Sequence, residues 1–332
     1  MALSDDKRNG AILGHALGDA LGAPCEFYPF ALYTGVLNTS IVRYSRAYGR
    51  QVCPIGQITD DTEMALVLMQ TLNSGYTKEK AVVNYMLWAN NNYEGCKGNM
   101  PFMGKNTRNL FIAPKPTYKL YNNRFNKHYP DEITKENSQS NGALMRAYPL
   151  AFVDDLDPEI IRTDVGITNP SELVQTAVFA YITAIKMALN GNSKEEIKEY
   201  SILYIMFNYP NIISPRVELF EDIQFSSTQL NRLKAELLVI ISEDKFNQKN
   251  LEDLAKTYSD LIKDINQNAV IKNIFQKKDE EKQIELLNEI LKELNDIKFS
   301  KKIENLENKL IEKFDEKSYS DLIKLKSKIN KE

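Results

Sequence analysis

The sequence predicts an all-α protein: a compact multi-helix domain followed by a Lys/Glu-rich helical segment. Nearly every periodic apolar segment has helical spacing, and no stretch alternates as a half-buried strand would. All 14 glycines of the 332-residue chain lie at or before Gly191, so tight turns and close backbone approaches are confined to the first part. Beyond Pro215 the composition shifts, and from Leu230 onward Lys, Glu, Asn, Ile and Leu dominate. These shifts divide the chain into 1–215 and 216–332.

The first helix is expected to begin after Ser4, a good N-cap, and to run to about Gly22. Gly10, Gly14, Gly18 and Gly22 recur at every fourth position along it. Each costs roughly 1 kcal/mol relative to alanine, which predicts that another element packs close against the bare face. The GxxxG spacing also occurs in membrane dimers, but His15 and Asp19 in so short a segment argue for packing inside a helical domain. A second helix follows Thr59-Asp60-Asp61-Thr62 and stops near Asn73-Ser74-Gly75. Its run of Met64, Ala65, Leu66, Val67, Leu68, Met69 and Leu72 predicts burial. A third lies within "TKEKAVVNYMLWAN". Residues 95–142, rich in Gly, Pro, Asn and Tyr, read as a long loop region. Ser171 caps another helix that ends before Gly191.

In the C-terminal part, Leu287, Ile290, Leu294 and Ile297, then Ile303, Leu306 and Leu310, have a heptad-like spacing. Phe299-Ser300 interrupts it, so a helical hairpin or bundle is expected in place of a long coiled coil. Its charges are of mixed sign, as on a solvated helical face.

Composition excludes several classes. A formal charge of −3 without a basic stripe argues against a nucleic-acid partner. Three scattered cysteines, Cys25, Cys53 and Cys96, make neither a disulfide framework nor a zinc site and fit a reducing compartment. Two histidines, His15 and His128, are too few for a His-based metal centre. No apolar stretch approaches ~20 residues, and the N-terminus has no signal-like core. A cytoplasmic protein with no membrane partner is expected.

Thr59-Asp60-Asp61-Thr62 admits two readings. Asp, Ser and Thr are preferred N-caps, acids suit the first turn, and Asp60-x-x-Glu63 resembles a capping box. A cap needs one oxygen, however, and several crowd here ahead of a buried helix. Adjacent desolvated carboxylates repel, and a hard cation such as Mg2+ or Ca2+ relieves that repulsion through oxygen ligands.

Four segments together, "GHALGDALGAPCEF" (14–27), "GQITDDTEMAL" (56–66), "GKNT" (104–107) and "SNGALMRAYPLAF" (140–152), resemble the ADP-ribosylglycohydrolase family over roughly residues 8–190. The resemblance implies an all-helical fold with a binuclear Mg2+ (sometimes Mn2+) centre at the mouth of a cleft. It also implies hydrolysis of the glycosidic bond that joins ADP-ribose to a modified side chain, with an ADP-ribosylated protein or ADP-ribose conjugate as partner. By resemblance, Thr59, Asp60 and Asp61 are metal ligands, the two aspartates being catalytic through the metal, and Glu26 faces the ribose as acid/base or positions the water. Gly104 to Thr107, with Ser140, Asn141 and Gly142, would cradle diphosphate and ribose. Asp19 and Arg146 are read as structural groups, and His128 as a surface residue.

The sequence departs from the family in two places. The second metal motif, a Gly-Asp-x-Asp-Thr segment near the C-terminus, has no counterpart, since no glycine follows Gly191. The family's Thr-His is Thr168-Asn169 here. Two functions are therefore expected to compete: a metal-dependent hydrolase that removes ADP-ribose, and a non-catalytic ADP-ribose-binding protein whose C-terminal helices engage a protein partner.

Overall fold

The computed structural model describes residues 5–23, 43–45, 51–53, 56–93, 103–242, 248–313 and 315–329. Backbone contacts group the chain into two compact units, 1–190 and 191–332. The division falls at Gly191, in a left-handed conformation (φ +100°) just past a helix end, and not at 215 where composition shifts.

The first unit contains α1 (Asp5–Gly22), α2 (Asp60–Asn73), α3 (Lys78–Ala89), α4 (Lys105–Phe111), α5 (Tyr118–His128), α6 (Glu132–Glu136), α7 (Pro158–Thr168) and α8 (Glu172–Leu189). A 3-10 turn covers Tyr148–Phe152. The all-α reading holds, with one addition: Arg43–Ser45 and Gln51–Cys53 pair antiparallel, Tyr44 opposite Val52. Residues 95–142 are not one loop, because α4, α5 and α6 lie within them. Their short helices carry so many Asn, Lys and Tyr that no apolar periodicity shows. Aromatic packing holds α4 and α5, while α6 is tied by its Asp131–Thr134 capping box and by Glu136, which accepts from Ser171 and the Glu172 N–H. Tyr85 of α3 stacks on Phe111 at 5.7 Å, and Tyr121 continues through Phe125 (5.6 Å) to Tyr129 (5.1 Å). Such ring pairs add about 0.5–1.5 kcal/mol beyond burial.

α2 and α3 supply the centre of this core. Met64, Val67, Leu68, Val82, Tyr85, Met86 and Trp88 are all fully buried. Glu63 does not form a capping box. Thr59 is the N-cap, Glu63 is buried, and its carboxylate accepts the Trp88 indole N–H at 2.7 Å. α8 has the length and mean hydropathy (1.3) to cross a membrane. Its Val174, Val178 and Ile182 are buried in the unit's own core. Ser171 occupies the cap position of α8, but its hydroxyl donates to Glu136, whose carboxylate accepts the Glu172 N–H.

A buried ionic group braces α7 against α3. Arg146 is fully buried and its Nε donates to Asp164 Oδ2 at 3.2 Å, with Asp164 equally shielded. The hydroxyl of Tyr85 donates to Asp164 Oδ1 at 3.0 Å, and that of Tyr76 at 3.4 Å. Burial and the Asp164 charge push both phenols well above their ordinary pKa, so they stay neutral donors. Arg146 thus has the ion-pair role expected of it.

The second unit holds α9 (Lys194–Asn208), α10 (Pro210–Ile213), α11 (Glu218–Glu221), α12 (Thr228–Ser242), α13 (Gln248–Thr257), α14 (Ser259–Asn268), α15 (Lys272–Phe275), α16 (Glu280–Glu312) and α17 (Glu316–Ile329). α9 is buried along Ser201–Met206 and meets Leu287, Ile290 and Leu294 of α16 within the unit. A helical hairpin forms, as expected, but its turn follows Glu312. α16 runs unbroken through Phe299-Ser300, because one polar residue in a helix of Lys, Glu, Leu and Ile costs only a few tenths of a kcal/mol. Glu199 is buried in this unit, where it accepts the Ser226 N–H (2.8 Å) and hydroxyl (2.5 Å) and lies 3.8 Å from Lys298.

The Arg146–Asp164 pair generates a stability prediction. Arg146→Met leaves Asp164 charged and buried, so it should cost about 3–5 kcal/mol. Urea unfolding measures this, and an unchanged midpoint would show that the carboxylate needs no cation.

Candidate functional site

The site begins with α1 and the start of α2. Asp19, on α1, accepts four hydrogen bonds from the TDDT segment. Its Oδ2 takes the Thr59 N–H (2.8 Å), the Thr62 N–H (3.2 Å) and the Thr62 hydroxyl (2.7 Å), and its Oδ1 takes the Thr59 hydroxyl (2.7 Å). Backbone N–H groups at a helix N-terminus lack partners within the helix and attract an anion. Here a second helix supplies it. Thr59 caps α2 as well, accepting the Asp61 N–H at a long 3.4 Å.

The capping reading of the motif is therefore realised. Thr59 is the cap, and Asp19 acts as the structural acid expected of it. The two aspartates of the motif follow in the first turn of α2. Thr59 has one hydroxyl proton for two carboxylates. The shorter contact gives it to Asp19, while Asp61 Oδ2 lies 3.1 Å from the same oxygen. Burial, followed by the charge of Asp19, raises the Asp61 carboxyl above its ordinary pKa, against the lowering by Thr59 and His15. Asp60 is largely buried, and its Oδ2 accepts the Gly104 N–H at 3.2 Å.

A cavity of about 560 Å3 opens beside these groups. Asp19, Thr59 and Asp61 line one side, Asn141 another, and Gly14, Gly18, Gly22 and His15 of α1 a third. Among the described residues, none packs against the glycine face. A Cβ placed on Gly10, Gly14, Gly18 or Gly22 would meet no described atom within 4 Å. The bare backbone widens a cavity where close packing was expected. His15 tilts its ring toward Tyr148 at 4.5 Å. Burial, with Tyr181 nearby, pushes the Tyr148 phenol up to about 12.

The other expected residues divide. Asn141 lines the cavity with Thr59 and Asp61. Ser140 and Gly142 flank it in the turn before Arg146, whose Nη1 donates to the Gly142 carbonyl at 2.7 Å. Gly104 and Thr107 do not form a turn. Gly104 is the N-cap of α4, and Thr107 is buried inside that helix. Gly104 reaches the site only through its N–H on Asp60. Glu26 lies outside the described residues. His128 is half-buried, lies 3.3 Å from Asn106 Oδ1 and sets its ring edge-on to Tyr129. Sequence reasoning missed His15 and the glycine wall as site elements. The one available signal was that glycines, Asp19 and His15 share a short segment with the family's motif.

The site yields its own prediction. Asp19→Ala removes the acceptor of two α2 N–H groups, so it should cost about 1–2 kcal/mol, the upper range for a lost cap. Thr59→Ala should cost about 1 kcal/mol. Thermal melts of the two variants check the order, and no loss in Asp19→Ala would mean that Asp19 adds nothing to the cap.

Comparison with known proteins agrees with these motifs. The model of the family described as ADP-ribosylglycohydrolase matches residues 2–260. The match thus runs past 190, and the resemblance is not confined to the first unit. The chain is 28% identical over 208 residues to the ADP-ribosyl-dinitrogen reductase glycohydrolase of Rhodospirillum rubrum, covering 58% of this chain and 62% of that protein. It is 28% identical over 204 residues to the uncharacterized protein YegU of Escherichia coli (strain K12), covering 55% and 54%. The match therefore spans less than two thirds of either relative's length. No solved structure matches. With the family's model spanning residues 2–260, the chain belongs to the ADP-ribosylglycohydrolase family.

Proposed function

We propose that this protein is a metal-dependent hydrolase that removes ADP-ribose from a modified protein side chain, by hydrolysis of an N- or O-glycosidic bond. The observation that carries the reading is the cavity, in which Asp19, Thr59, Asp61 and Asn141 come together from three separate segments. Its volume, about 560 Å3, is within the range of small-molecule sites. The glycine wall lets a ligand approach backbone without meeting side chains.

The chemistry suits these groups. Departure from an anomeric carbon develops positive, oxocarbenium-like charge, which nearby carboxylates stabilise. Asp61 is a carboxylate on the cavity wall, and Asp19 holds Thr59 beside it. Asn141 carries both donors and an acceptor, as binding of ribose hydroxyls or phosphate requires. Glu26 keeps the acid/base role that the family resemblance implies.

The donor set fits one hard cation. Thr59, Asp60 and Asp61 offer oxygens only, and the half-buried Asp61 carries the repulsion of Asp19 that a cation would offset. Mg2+ or Mn2+ held there would polarise the ribose hydroxyls and acidify a water. Among the described residues no three His, Cys, Asp or Glu gather to hold a metal, so a cation there would rest on Asp60, Asp61 and the Thr59 oxygen, with water completing its shell. Fixing the substrate and excluding disordered water fall to the cavity itself. The scattered cysteines suit a reducing compartment such as the cytoplasm.

The test is release of ADP-ribose from arginine-linked and serine-linked proteins, with Mg2+ and with chelator. Release should require the metal and fall by about 100-fold or more in Asp60→Asn with Asp61→Asn. Mg2+ should also raise the melting temperature of the wild type and not of that double variant. Metal-independent release would sink the cation role. Absence of release together with ADP-ribose binding would make the protein a binding member of the family.

A further inference from the structure

Asn169 terminates α7 and is fully buried. An amide side chain has two N–H donors and one carbonyl acceptor, and here all are engaged. Nδ2 lies 3.2 Å from the Ser138 carbonyl, 3.2 Å from the Ser140 carbonyl and 3.0 Å from the Ser140 hydroxyl oxygen, with the Ser138 hydroxyl oxygen at 3.4 Å. Oδ1 accepts the Thr168 hydroxyl at 2.9 Å. The Thr168 hydroxyl oxygen in turn accepts Arg146 Nη1 at 2.8 Å, the same nitrogen that donates to the Gly142 carbonyl at 2.7 Å.

The carbonyls of residues 140 and 142 are therefore both fixed, one by Asn169 and the other by Arg146. Between them stands Asn141, which is exposed and lines the cavity with Asp19, Thr59 and Asp61. Holding the peptide groups on either side of a residue sets where its side chain can go. A Cβ on Gly142 would sit 3.4 Å from Asn169 Oδ1, in van der Waals contact with it. The turn and the amide are fitted to each other.

We infer that Asn169 is a positioning residue: its buried amide holds the Ser140–Gly142 turn so that Asn141 presents its side chain to the ligand in the cavity. The inference rests on the proposed hydrolase reading for the identity of that ligand, an ADP-ribosyl group. It does not rest on that reading for the hold on the turn.

The variants are Asn169→Ala, Asn169→Asp, Asn141→Ala and the double variant Asn141→Ala with Asn169→Ala. Each is assayed for ADP-ribose release and for amide exchange in residues 138–146. Asn169→Ala should raise KM about tenfold, the loss of one or two hydrogen bonds' worth of alignment, and leave kcat within about twofold. Asn141→Ala should do the same. The double variant should be no worse than Asn141→Ala, because both changes act through one side chain. Exchange in 138–146 should quicken in Asn169→Ala while that of 56–75 stays as in the wild type. Asn169→Asp keeps the shape and loses both donors, so it should match or exceed the alanine effect; if it fails to fold, the alanine variant decides. A folded Asn169→Ala with unchanged KM overturns the inference, as does a double variant in which the two effects multiply. If the wild type neither releases nor binds ADP-ribose, the hydrolase reading fails by itself. Exchange then decides the hold on the turn: quickened exchange supports it, and unchanged exchange ends it.

Discussion

Four hydrogen bonds on the carboxylate of Asp19 join α1 to the start of α2. An α-helix begins with N–H groups that nothing in the helix can satisfy, and in most proteins a local side chain or water serves them. Here Thr59 is only a partial local cap, at 3.4 Å, and the main acceptor comes from a different helix. One arrangement thereby fixes several things. α2 has a defined starting point, and Asp60 and Asp61 enter the first turn in a set order. The glycine face of α1 then lies along the same cavity as the oxygens of the motif.

The opposite wall depends on a different kind of bond. Arg146 and Asp164 are shielded from water, and such a pair is weak evidence for stability, since desolvation offsets much of its attraction. What the pair contributes is definition. Through Thr168 and Asn169 it extends to the turn at 138–142, and through Tyr85 to the aromatic packing of α3, α4 and α5. A fully satisfied buried network tolerates few alternative geometries.

The helical class, the buried character of α2, a helix cap within Thr59-Asp60-Asp61-Thr62 and the end of α8 at Gly191 were legible because each rests on local periodicity or on a single capping residue. The oxygens of TDDT were legible as candidates too. What could not be read was the partner of that motif. Asp19 stands forty residues earlier in the chain, and no periodicity records a bond across such a separation. The same limit explains Glu63, which matched a local capping pattern but is bonded to Trp88 of the next helix. α4 and α5 were missed for the converse reason: their stability comes from rings stacking between elements and not from an apolar stripe within each. At Phe299-Ser300 a lapse in the heptad pattern looked like a break, but helix propensity carried the backbone through it.

The open glycine wall implies a conflict between folding and use. Because no described atom crowds Gly14, Gly18 or Gly22, alanine at each would meet no steric objection and would favour the helix by roughly 1 kcal/mol. Selection for stability alone would therefore be expected to fill these positions. Every methyl group so added would project into the space that α1 leaves open. The first helix is thus held below its attainable helix propensity where the described residues leave room, a trade of rigidity against space that is met elsewhere in functional sites.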